Sequence, residues 1–309
     1  MAPVVSIQTT LGAYQIGVLI SYALLGITTT QAYIYYIRFP DDSFKLKALV
    51  AFVYLCEVVH AITLGDTLNV LTISDSASWS ERALGPIPKS FPIATFLSGL
   101  IGGSVQGFFA YRVYALSKKL VIPMSCWVMC AMRVAMATLI SANLLHATVV
   151  TFEGRWKWAL TTLWAVSTVN DLTVTATLVA ILVSQRDNAY KRTAALVDKL
   201  IMYTIETGML TSMSSITALA CLISMPANFI WIAIFATNAR LISNSLLASL
   251  NSRASLRAME QEVTMPLSFI HSTGTALHSN SAETTPKERQ AIDSQRICCH
   301  CGQIPSNGV

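Results

Sequence analysis

Seven long apolar runs, separated by short polar segments that hold nearly all the charge, organise this chain. A helix crossing ~30 Å of hydrocarbon takes about 20 apolar residues. Only helices or closed barrels satisfy their backbone hydrogen bonds in that medium. The pattern therefore predicts an all-α, polytopic membrane protein built as a seven-transmembrane-helix bundle. The expected spans run from about Gly12 to Ile37, Lys47 to Leu71, Pro92 to Ser117, Val121 to Val150, Lys157 to Gln185, Leu200 to Met225 and Ala227 to Leu250. Only Ser117-Lys118-Lys119 divides the third from the fourth, and Met225-Pro226-Ala227-Asn228 the sixth from the seventh. Pro226 disfavours helix at the residue before it, so a turn is expected there.

Lys and Arg placement orients the bundle. Sixteen basic residues fall on one side, including Arg38, Lys118, Lys119, Arg186, Lys199 and a tail set in which Arg240 is counted; four (Arg82, Lys89, Arg155 and Lys157) fall on the other. The excess of positive charge on cytoplasmic loops puts the N-terminus outside and the C-terminus in the cytosol. Tyr33, Tyr35, Tyr36, Tyr111 and Tyr114 sit at expected cytosolic ends, and Trp156, Trp158 and Trp231 at outer ends, where amphipathic rings favour headgroup depth. The opening Met1-Ala2-Pro3 carries no basic n-region, so an uncleaved first span is expected. The expected localisation is a membrane crossed several times, with the plasma membrane the expected setting.

Composition supports the same medium. The hydrophobic share is 53%, the charged share 12% and the formal net charge +5, against roughly 25% charged in soluble domains. No basic face or recognition motif points to nucleic acid. No N-x-Ser/Thr sequon occurs, and no cysteine lies in an expected outer loop. The expected domains are 1–250, the transmembrane bundle, and 251–309, a disordered cytosolic tail rich in Ser, Thr and charge, with room for a short helix near Ser255 to Val263. The cluster Cys298-Cys299-His300-Cys301 reads as inert tail, an acylation site or a metal site, and its adjacent ligands lack usual zinc spacing.

Ionisable groups at membrane depth are the candidates for function. Glu57 and His60 lie three residues apart near the middle of the second span, on one helical face. Arg133 lies near the middle of the fourth and Asp171 near the middle of the fifth. An isolated charge there costs ~2.5–3.5 kcal/mol on the lenient insertion scale, so partners are expected. Arg133 is expected to pair with Asp171, or with Glu57 as competing acceptor. Such a pair either fixes helix register or handles a ligand. His60 reads as half of a proton-sensitive pair with Glu57 or as a hydrogen-bonded core histidine. Asn238 completes the proposed buried polar set, with Asn143, Asn170, Gln31, Gln106 and Glu206 adding polarity. The sixth span carries many Thr and Ser, which line a wet cavity or serve helix contacts. Gly99, Gly103 and Gly107 form a small-residue stripe on the third span, with Gly102 beside it. The stripe predicts close packing within the bundle, or a dimer face.

No phosphate loop, nucleophile elbow or zinc-protease motif is present. No cofactor and no enzymatic activity are expected. Beyond topology the chain departs from G-protein-coupled receptors: the third span ends Tyr111-Arg112-Val113-Tyr114, and the seventh reads Thr237-Asn238-Ala239-Arg240-Leu241 where the receptors carry Asn-Pro-x-x-Tyr. The seventh span also lacks a lysine for a retinal Schiff base.

Three stretches carry a closer resemblance, over about residues 10 to 257. The first holds Gln31, Tyr33, Tyr36, Phe39-Pro40-Asp41 and Glu57-Val58-Val59-His60. The second holds Val105-Gln106-Gly107-Phe108-Phe109 and Tyr111-Arg112-Val113-Tyr114. The third joins Asn170-Asp171-Leu172, Thr207-Gly208-Met209-Leu210-Thr211-Ser212, Asn244-Ser245-Leu246-Leu247-Ala248 and Leu250-Asn251-Ser252-Arg253. In order and spacing these resemble the mushroom-type (basidiomycete) fungal seven-helix membrane proteins built on a domain of unknown function. The resemblance implies a seven-helix bundle in a fungal membrane, with an acid at the position of Glu57, and it implies no ligand or reaction. Three functional readings are open: a receptor-like or sensory bundle, a small-solute carrier or channel, and a membrane scaffold. Expected partners are the lipid bilayer, a small ligand or solute that the sequence does not name, and a second copy of the chain.

Overall fold

The computed structural model describes residues 7–74, 87–187, 191–224 and 230–279. Its seven long helices are α1 (Ile7–Arg38), α2 (Phe44–Asn69), α3 (Ser90–Ser117), α4 (Val121–Leu144), α5 (Val149–Asp187), α6 (Lys191–Ser224) and α7 (Ile230–Ser279). A single π-helical turn, Val70–Ser74, extends α2. All seven contain a stretch long and apolar enough to cross a membrane, with bounds close to those predicted; the last is Ile230–Ala254. The protein is a multi-pass membrane protein on that basis.

The chain divides into two compact units, Met1–Leu256 and Arg257–Val309. The bundle and its polar interior belong to the first. The helix of α7 continues past Leu250, where the expected tail begins, to Ser279. The Cys298–Cys301 cluster lies outside the described residues.

The outer surface is apolar and the interior holds charge, the reverse of a soluble domain. Ile16, Leu19, Leu55, Ile62, Val128, Met213 and Ile223 are exposed, while Glu57, Arg133, Asp171 and Arg240 are buried. This distribution suits lipid on the outside, where an alkyl side chain costs nothing to expose.

Local chemistry explains the breaks. Lys118 adopts a left-handed conformation (φ 56°) and caps α3, its N–H donating to the Tyr114 carbonyl at 2.9 Å. Such a residue ends a helix because the next peptide can no longer continue the ladder. The Ser117 hydroxyl then accepts from the Lys119 N–H at 3.2 Å, closing the turn into α4. The polar patch Ser117-Lys118-Lys119 therefore separates two helices, as expected. The residues around Pro226 lie outside the described set, and α6 ends at Ser224 while α7 begins at Ile230.

Core packing comes in layers. One apolar cluster joins Tyr14, Val18, Leu64, Ile140, Trp164, Leu222 and Phe235. Another joins Tyr35, Phe39, Val50, Ile101, Ile242 and Leu246 at the end of the bundle that carries Arg38 and Lys118, here called the basic end. A third, Ala110, Val113, Cys126, Val174 and Leu178, fills the same end between α3, α4 and α5. Between these layers, at the middle of the spans, lies a belt of buried polar side chains.

The basic end is fastened separately. Arg253 grips the Asp42 carboxylate through both terminal nitrogens, at 2.6 and 3.4 Å, and lies 4.5 Å over the Phe39 ring. The Tyr35 hydroxyl donates to the same carboxylate at 3.0 Å. Asn251 donates to the Gln31 carbonyl at 2.9 Å, and Arg112 of α3 to the Ser249 hydroxyl at 2.5 Å. The α1–α2 corner and α3 are thereby tied to one stretch of α7.

Candidate functional site

The polar belt consists of two sets, one on either side of α7. The first joins α1, α2 and α7. Arg240 and Glu57 are both 0% exposed and form an ion pair. Arg240 also donates from Nε to the Ser21 hydroxyl at 3.0 Å and from Nη1 to the backbone carbonyl of Glu57 at 2.7 Å. Ser243, nearly one turn along α7, donates to Glu57 Oε1 at 2.5 Å. Asn244 adds a bond to the Leu24 carbonyl at 3.3 Å.

This set corrects the expected pairing. Glu57 takes Arg240, not Arg133, and Arg240 is not a cytosolic charge. Ten residues separate it from Ile230, which at 1.5 Å per residue is ~15 Å of rise, half of the hydrocarbon. The charge asymmetry survives without it, at 15 against 4.

His60 is fully buried on the same helix, and neither ring nitrogen has a hydrogen-bond partner among the described residues. It forms no bond to Glu57; its ring meets Phe235 edge-on, with centroids 6.1 Å apart. Neither expected role of His60, a pair with Glu57 or a hydrogen-bonded core residue, is what the geometry has.

The second set joins α3, α4, α5 and α6. Asp171 accepts from Gln106 Nε2 at 2.5 Å and from the Ser215 hydroxyl at 3.2 Å. Asn170 donates from Nδ2 to Gln106 Oε1 at 3.1 Å and to the Cys130 sulfur at 3.4 Å. Arg133 donates to the Ser167 hydroxyl at 2.7 Å, one turn before Asp171. It makes no ion pair with Asp171 within 4 Å, so that expected contact is replaced by neighbouring places in one network. Ser167, Asn170 and Asp171 share a face because they are spaced three and four apart.

Arg133 fits because of Gly102, a residue the sequence pattern marks only as a neighbour of the stripe. A Cβ at Gly102 would collide with the Arg133 guanidinium, and one at Gly99 or Gly103 with Ala137 or Val134 of α4. The stripe therefore faces α4 inside the bundle. Gly107 is not part of that contact: a Cβ there meets nothing within 4 Å. Its carbonyl instead accepts from the Trp127 indole at 3.2 Å. Asn238 is buried on α7 and accepts from the Ser214 hydroxyl at 3.1 Å, joining α6 to α7 outside both charged sets.

A cavity of about 40 Å³ lies beside Asp171. Its wall includes Gln106, Asp171, Thr204, Thr207, Thr211 and Ser245, drawn from α3, α5, α6 and α7. That volume accommodates about three water molecules. A smaller cavity of about 10 Å³ continues toward the basic end, sharing Phe109, Thr204 and Thr207 with the first and reaching Arg112, Ser249 and Ser252. The polar residues of the sixth span divide between a cavity wall and contacts to other helices. Thr204, Thr207 and Thr211 line the cavity. Ser214 and Ser215 bond to neighbouring helices. Glu206 faces outward.

The fold and this belt define a seven-helix membrane bundle with a charged, hydrogen-bonded waist. Residues 167–255 match the model of a family of unknown function (DUF6534). The matched segment runs from Ser167 through α6 to Ser255, and so holds Asp171, Ser215, Asn238, Arg240 and Ser243. No curated protein and no solved structure matches the chain.

Proposed function

We propose that the chain is a receptor-like, sensory seven-helix membrane protein whose response is set by what occupies the cavity beside Asp171. One observation carries this reading. Asp171 is held by neutral donors from α3 and α6 while it forms part of a cavity wall that α7 shares. An occupant there touches four helices at once, and its binding energy goes directly into their relative packing. α7 has Ile242 and Ser245 on that cavity and Arg240 and Ser243 on the Glu57 set, so it can pass a displacement from one polar set to the other. The protein on this reading binds and does not catalyse.

The finer setting belongs to the same proposal. The basic-end asymmetry supports an N-terminus outside and a cytosolic C-terminus in the plasma membrane. The resemblance of the quoted motifs to the mushroom-type fungal family supports a fungal source. A carrier is the second reading, favoured by the two cavities that succeed one another from Asp171 toward Arg112.

Reconstitution separates the two. Purified protein in liposomes is expected to gain thermal stability with a cavity ligand and to pass no solute. Ligand-dependent flux would replace the receptor reading with the carrier.

A further inference from the structure

We infer that the cavity beside Asp171 is a binding site for a small monovalent metal cation, for which Na⁺ is the natural probe. The inference rests on the location proposed above and supplies the chemistry of its occupant.

Four of the five wall hydroxyls have committed their protons; the fifth, Thr175 of α5, makes no side-chain hydrogen bond among the described residues and so keeps both donor and acceptor capacity. Thr204 donates to the Leu200 carbonyl at 2.8 Å and Thr207 to the Tyr203 carbonyl at 2.7 Å. Thr211 donates to the Gly208 and Thr207 carbonyls at 3.1 and 3.3 Å, and Ser245 to the Ile242 carbonyl at 2.7 Å. A hydroxyl has one proton and two lone pairs. Four wall hydroxyls have therefore spent their protons on their own helices and keep only acceptor capacity. The carboxylate of Asp171 adds two oxygens, each accepting from one side chain and keeping a further lone-pair site. The set is an oxygen-rich wall, and a cation is the occupant such a wall stabilises.

Two further buried oxygens, on residues next to wall residues and not themselves lining the cavity, also lack partners. Asn170 Oδ1 has no hydrogen-bond partner among the described residues, although Asn170 is fully buried and its Nδ2 is bonded to Gln106, which lines the cavity. The Ser212 hydroxyl, on the turn of α6 between Thr211 and the Asp171 partner Ser215, is also buried with no partner among the described residues. Unsatisfied buried polar atoms mark a ligand or an ordered water that completes them.

Size and charge narrow the class. A cavity of about 40 Å³ is far below the ~300–1,000 Å³ of a drug-sized site, so an organic amine of any bulk does not fit. Ca²⁺ and Mg²⁺ sites draw on several oxygen ligands with multiple carboxylates or phosphates. Among the described residues Asp171 is the one carboxylate on this wall, and Arg133 interacts with it electrostatically from outside the wall, so the charge left for an occupant is at most one. Arg133 does not line this cavity; its guanidinium packs against Gly102 and bonds to Ser167.

The test uses the full chain in lipid nanodiscs, unfolded by heat in NaCl or in choline chloride at equal ionic strength. The Tm is expected to climb with the logarithm of Na⁺ and not with choline. Asp171→Asn should abolish the difference. Because that variant weakens two hydrogen bonds and can fail to fold, Thr207→Val and Ser245→Ala serve beside it; each should shift the Na⁺ dependence by about fivefold to weaker binding. An equal rise in choline, or an Na⁺ response unchanged in all folded variants, overturns the site. A Tm that varies with pH through Asp171 and ignores Na⁺ at every pH overturns it in favour of a proton alone. Na⁺ flux through liposomes would uphold the site while removing the receptor reading, so the two proposals fail separately.

Discussion

Arg240 on α7 and Glu57 on α2 are joined by an ion pair from which solvent is wholly excluded, with Ser21 and Ser243 completing the bonds around it. The pair fixes three helices at mid-depth. Losing one partner leaves a bare charge in the bundle, at a cost of about 3–5 kcal/mol. Glu57→Gln and Arg240→Gln should each drop the Tm sharply. The double change Glu57→Leu with Arg240→Met should recover most of the loss, since a buried pair replaced by apolar groups is often neutral. A thermal double-mutant cycle in detergent checks this.

Gly102 should be intolerant of a single added methyl. Gly102→Ala forces Arg133 out of its slot, a cost of about 1–3 kcal/mol typical of overpacking. In an Arg133→Ala background the same change should cost much less, because the colliding atoms are gone. Gly107→Ala, with open space at its Cβ, should have little effect. The comparison of the three in one thermal assay isolates the contact.

Arg253 should govern how firmly the basic end of α7 is held. The pair with Asp42 is partly exposed, so its removal costs about 1 kcal/mol or less. The clearer readout is local. Arg253→Ala should speed amide exchange around Asn251 and the Phe39–Asp42 corner, and leave the waist near Glu57 unchanged. Arg253→Lys should rescue poorly, because the bidentate grip and the stacking on Phe39 both need a planar guanidinium.

Orientation is tested by labelling. Lys119 and Arg155 are exposed at opposite ends of the bundle. In a cysteine-depleted background, Arg155→Cys should react with an impermeant maleimide on intact cells. Lys119→Cys should react only after the membrane is opened. The opposite pattern would invert the bundle.

Seven spans are legible in the sequence because ~20-residue apolar runs leave the backbone no other solution in lipid, and the α3–α4 break is legible in three polar residues. The polar waist is legible as a set of residue types but not as partners. Arg240 looks like a boundary marker because arginine so often is one, although its position ten residues into an apolar run carries the contrary signal. Equal depth points Arg133 to Asp171; depth fixes height along the helix and says nothing of rotation about it, and rotation gives Arg133 to Ser167. Gly107 shows the same limit, since four-residue spacing drifts around a helix and its carbonyl, not its missing side chain, does the bonding.

The back-bonded threonines of α6 have a mechanical meaning. Thr204, Thr207, Thr211 and Thr217 satisfy themselves along their own axis. Among the described residues, Ser214 and Ser215 make its hydrogen bonds to other helices, and Asp198 adds a surface pair to Arg186. α7, by contrast, is bolted to its neighbours at Arg240, Ser243, Asn244, Asn251 and Arg253. α6 thus keeps most of its hydroxyl bonds along its own axis and meets α5 by close packing at Gly208 against Thr175, whereas α7 is held to its neighbours by side-chain bonds.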